Sequence, residues 1–129
     1  MGAFSDDLET KLLNYTLRNT GYTAPTSVWV GLCTADPTES AANECAAGTY
    51  ARRQLAFNAA STSSITGSTA TVTFPQATGT SWGALHGYAI FDASAEGNMM
   101  YYANLASDVT VNVNDTVEFA AGAIVITLD

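Results

Sequence analysis

Apolar positions fall into one stretch with helical spacing, followed by short runs with a period of two. In the first, residues 5–20, Leu8, Leu12 and Tyr15 recur on one face, with Leu13 and Leu17 beside it. Asp6 followed by Glu9 forms a capping-box pattern, and Asp6, Asp7 and Glu9 suit the positive end of a helix dipole. Arg18 suits the last turn, and Gly21 provides a stop. The spacing predicts an amphipathic helix over about residues 5–20. Its apolar face packs on a sheet or docks on a neighbouring subunit.

Strands are predicted from about residue 26 to 128. Residues 26–34, TSVWVGLCT, place Val28, Val30 and Leu32 on one face and Trp29 and Cys33 on the other. Apolar residues on both faces indicate a central strand, or a strand with one face meeting another chain. Residues 50–58 follow, with Arg52 and Arg53 directed to opposite faces, so that one of them pairs with an internal acid or with a partner. Further runs cover 70–74, stopped by Pro75, then 85–92, 98–105, 109–113, 116–119 and 123–128. Gly87 marks a close backbone approach. Residues 93–97 turn the 85–92 run into a hairpin, and Asn114-Asp115 forms another turn. Residues 35–49, 59–68 and 76–81 read as polar loops. One helix and about eight strands, with turns every 8–12 residues, predict a mainly β single domain over 1–129. The architecture is a β-sandwich or a jelly-roll-like small barrel. Because the final run reaches the end of the chain, no tail or further domain is expected.

Composition narrows the function. The chain is 47% hydrophobic but only 12% charged, so its surface is built largely from Thr, Ser, Asn and Gly. Twelve acidic residues against four basic ones give a net charge of -8, which repels phosphate backbones and argues against a nucleic-acid partner. No apolar run is long enough to span a membrane, the N-terminus lacks a secretory pattern, and Asp6 stands where a myristoylation motif requires Ser or Thr. No membrane partner is expected. Cys33 and Cys45 read either as reduced thiols or as a disulfide pair.

Candidate chemistry is sparse. Asp36, Glu39 and Glu44 form an acidic loop without the spacing of a calcium loop. Cys33, Cys45 and the lone His86 fall short of a zinc set. Ser81, His86 and Asp92 lack the context of a nucleophilic triad. No catalytic residue, cofactor or metal is expected. The apolar arm Met99 to Tyr102 has residues on both faces, one for the core and one for an interface.

Four stretches carry a family resemblance: ETKLLNYTLRNTGYTAPTSVWVGLCTADPTE, GTYARRQLAFNAAS, VTFPQATGTSWGALHGYAIFDASAEGNMMYYANL and NVNDTVEFAAGAIVITLD. Together they cover nearly the whole chain in order. The chain resembles a family of small bacteriophage and prophage virion proteins, often labelled phage tail fibre proteins, some of which look like capsid decoration (cement) proteins. Residues 39–48 and 61–68 match poorly. The resemblance implies a structural virion protein made in the host bacterial cytoplasm. The absence of a long shaft favours a capsid decoration protein that binds the major capsid protein at the outer capsid surface as a homotrimer. The alternatives are a small tail or tail-tip component and, from another class, a carbohydrate-binding β-sandwich. The interface candidates are Leu8, Leu12, Tyr15, Trp29, Arg52, Arg53, Met99 and Tyr101, with the 35–49 loop contributing.

Overall fold

A computed structural model describes residues 3–61, 64–66 and 69–127. The elements in chain order are β1 (Ala3–Phe4), α1 (Asp6–Leu17), β2 (Val28–Cys33), β3 (Arg53–Leu55), β4 (Ser64–Thr66), β5 (Val72–Thr73), β6 (Gly83–Phe91), β7 (Met99–Val111), β8 (Glu118–Phe119) and β9 (Val125–Thr127). β1, β7, β6, β2 and β3 form a five-stranded antiparallel sheet in that order. Two antiparallel ribbons, β4-β9 and β5-β8, lie against one of its faces. The sheets do not close on one another, so the fold is a small sandwich and not a barrel.

The alternation in β2 explains the layering. Val30 and Leu32 join Leu55, Leu85, Ile90 and Met100 in the main core, together with Phe74, Ile124 and Ile126 from the ribbon side. Trp29 and Cys33 join a second, smaller cluster with Ala89 and Phe91 on the opposite face. β2 lies between β6 and β3, so it is the central strand that its two apolar faces predict.

The helix departs from its predicted ends. Its N-cap is Ser5, not Asp6: the Ser5 hydroxyl accepts from Leu8 N–H (3.2 Å) and donates to Met99 O. Asp6 N–H instead reaches Glu39 O (3.1 Å). The helix stops at Leu17, because Asn19 takes a left-handed conformation (φ 55°) and Thr20 N–H returns to Asn14 O. Gly21 is not the stop. Leu13 and Leu17 are not beside the buried stripe either. They lie some 140–180° around the helix from Leu8 and face solvent.

Three other boundaries move. Only Arg53–Leu55 of the 50–58 run forms a strand. The 59–68 loop contains β4, which pairs with β9 through Ile65 opposite Ile126. Its Ser and Thr residues concealed the strand. Residues 99–105 and 109–111 of the predicted 98–105 and 109–113 runs belong to one strand, β7, but the pairing breaks between them. Gly87 is opposite Asn104 and Leu85 opposite Val109, so residues 105–108 bulge out against His86. The last residues of the predicted 123–128 run lie partly outside the described residues, as do several of the poorly matching 61–68 segment.

Gly87 behaves as its sequence context predicts. A Cβ there would lie 2.6 Å from Ala103 O and 2.7 Å from Pro37 Cδ. This close approach lets the 35–49 connection lie down on the sheet.

Candidate contact surfaces

Arg52 and Arg53 separate cleanly. Arg52 is 9% exposed and every nitrogen of its guanidinium is bonded. Nε and Nη2 donate to the two Glu44 oxygens (2.8 and 2.7 Å) in a bidentate fork, and Nη1 donates to Ala93 O (2.8 Å) and Glu96 O (2.7 Å). Its Cζ lies 3.4 Å from the Phe91 ring centroid. Glu44 Oε1 also accepts from Tyr50 Oη (2.6 Å), and that hydroxyl accepts from Leu32 N–H (3.0 Å). The internal acid anticipated for one arginine is therefore Glu44, and Arg52 faces inward, where it offers no free charge to a partner. The network ties the 35–49 loop, β2 and the β6–β7 turn together. Arg53 is exposed and donates to Thr73 O (3.0 Å).

Burial shapes the neighbouring titrations. Desolvation, reinforced by the Glu44 charge and by Cys45, pushes the Cys33 thiol up to about 12. The Tyr50 hydroxyl is raised by desolvation and by its bond to Glu44. Cys33 and Cys45 are both free, buried thiols. Among the described residues no group of His, Cys, Asp and Glu is arranged to hold a metal ion.

The remaining predicted contact residues divide between core and surface. Leu8 is buried, and Leu12 and Tyr101 pack against the main core, Tyr101 edge-on to Phe4 at 5.1 Å. Trp29 and Met99 are half-buried together over Phe91 and Ala89. Tyr15 is 55% exposed. The structure does not gather these eight residues into one patch. Trp82 is buried and meets Tyr50 edge-on at 5.5 Å.

Ser81, His86 and Asp92 are each engaged separately. Ser81 Oγ donates to Val111 O (2.6 Å), and His86 Nδ1 lies 3.0 Å from Asp108 Oδ2 in the bulge. Asp92 accepts from the Asn98 backbone N–H (2.7 Å) and side-chain amide (3.0 Å), closing the β6–β7 turn. No helix among the described residues is long and apolar enough to cross a membrane.

Two surface features escaped the sequence reading. One is the outward pair Leu13 and Leu17, 59% and 78% exposed. A helical wheel drawn from Leu8 already sets them apart from the buried stripe. The other is an apolar groove of about 400 Å³ beside the bulge, with Leu85, Leu105, Val109, Val117 and Phe119 in its lining and Asp115 and Glu118 among its polar members. The spacing of Val109, Val111 and Val113 did not disclose it, because alternate strand residues share one face, yet Val109 and Val113 are exposed and Val111 is buried.

No curated protein matches the chain. A family model described as podophage GP4 fiber I protein gp80 matches residues 3–127.

Proposed function

The chain belongs to the podophage GP4 fiber I protein gp80 family, and we propose that it is a building block of a virion fibre, working by protein–protein contact and without catalysis. The observation that carries this reading is the extent of the match, which takes in the helix, the five-stranded sheet and both ribbons. Membership makes the chain a phage structural virion protein with a β-rich fold. The internal bonding of Arg52, Ser81 and Asp92 supports a contact role, since these polar groups are spent on holding the fold together.

A second reading is capsid decoration, with the major capsid protein as partner. It is favoured by the compact sandwich with uncovered apolar features at its surface, since a module repeated over a capsid sums weak contacts. Immunogold labelling of purified virions with an antibody to this chain separates the two. Label along the fibres supports the first reading, label over the head supports the second, and virions that carry none of the chain refute both.

A further inference from the structure

The uncovered helix stripe and the groove lie at opposite ends of the sheet. Helix α1 sits at the end where β6 gives way to the turn, since Leu8 and Lys11 line a hollow with Asp92 and Met100. Leu13 and Leu17 are exposed to solvent, and Arg18 follows Leu17 directly. The Arg18 guanidinium bonds to the neutral Asn14 Oδ1 (3.2 Å), and among the described residues it pairs with no acid.

The groove lies at the other end of β6 and β7, where the bulge lifts residues 105–108 away from β6. Leu32 and Leu85 are fully buried beneath it, and Leu105, Val109, Val117 and Phe119 surround them. Asp115 and Glu118 add negative charge to the same lining. From Phe91 to Leu85 is six residues of strand, or about 20 Å. No residue of α1 is among those that line the groove, so the helix of the same copy does not fill it.

We infer that a second copy of this chain fills the groove: its Leu17, with Leu13 one turn behind, seats against Leu105 and Val109, and its Arg18 meets Glu118 and Asp115. An exposed apolar knob with an adjoining cation thus meets an apolar hollow with adjoining acids. Knob and hollow are different surfaces of one chain, so the contact is head-to-tail. Copies joined this way close into a ring, a trimer being one such ring, or continue as a filament. Either suits a multi-copy virion part, and the contact does not depend on whether that part is fibre or capsid.

Sedimentation velocity on the full chain tests this. The wild type associates with an expected midpoint of about 10–100 μM, weaker than the μM-to-pM span of standard interfaces. Leu17→Glu and Val109→Glu each raise that midpoint at least tenfold, while circular dichroism melts show that both remain folded. Should Val109→Glu lose the wild-type melt, Glu118→Arg replaces it. Mixed one to one, the knob variant and the groove variant form a dimer and nothing larger, because only one complementary pair of halves survives. Arg18→Glu weakens association, and combining it with Glu118→Arg restores it. A wild type that stays monomeric at about 200 μM, well above that range, overturns the inference. So does association that Leu17→Glu leaves unchanged, or a mixture that forms no dimer.

Discussion

Arg52→Ala removes more than a surface charge. The variant loses the bidentate fork to Glu44, two bonds to main-chain carbonyls in the β6–β7 turn, and the stacking on Phe91. It also leaves Glu44 partly buried, with Tyr50 as its remaining side-chain partner. Breaking a buried ion pair from one side costs about 3–5 kcal/mol. The Glu44 side chain is 23% exposed, so water recovers part of that, and the expected cost is about 3 kcal/mol. For a domain of this size the melting temperature should fall by roughly 10 °C. Arg53→Ala is the matched control. Its side chain is exposed and makes one bond, to Thr73 O, so it should cost less than about 0.5 kcal/mol. Urea unfolding followed by far-ultraviolet circular dichroism measures both. A double-mutant cycle with Glu44→Ala should show strong coupling, the double variant costing clearly less than the sum of the singles. Equal losses for the two arginine variants, or additive losses in the cycle, would refute the internal clasp.

Gly87→Ala forces a Cβ against Ala103 O and Pro37 and should cost about 1–3 kcal/mol in the same unfolding assay; a neutral result would mean the loop does not lie on the sheet as described. Asp92 is partly desolvated, which opposes ionisation, but the hydrogen bonds from Asn98 and the charge of Lys11 outweigh this and lower its pKa. A carboxylate depressed in the folded state contributes stability above its unfolded pKa of about 4 and loses it as pH falls through the lower folded value. Asp92→Asn should therefore flatten the decline of the urea midpoint below about pH 4, and an unchanged decline would remove Asp92 from that role. Ser5→Ala should cost at least about 1 kcal/mol by uncapping α1 and freeing Met99 O, whereas Asp6→Ala should cost less; the reverse order in thermal melts would restore Asp6 as the cap.

What was legible in the sequence followed from periodicity and from residues with few alternatives. The alternation Val28, Val30, Leu32 against Trp29, Cys33 disclosed a central strand, because both sets must be buried. Gly87 disclosed a close approach, and Arg52-Arg53 disclosed one inward cation, because adjacent strand residues point opposite ways. The hidden features were those set by distant partners. β4 consists of Ser, Ile and Thr and exists because β9 offers it a ladder. The cap fell to Ser5 because Met99 O and Leu8 N–H flank its hydroxyl, whereas Asp6 N–H is drawn to Glu39. The break between the 98–105 and 109–113 runs was visible. That both continue along one strand through a bulge depends on the pairing with β6. The partner of Arg52 was not legible, since Glu44 lies in a polar loop among other acids and only the folded loop selects it.

Cryo-electron tomography of the parent virion, with subvolume averaging of its fibres, tests the central claim most directly. The account predicts repeated density on the fibres that fits a five-stranded sheet with two ribbons and one short helix. Fibres without such density would contradict the account, whether or not the heads carry it.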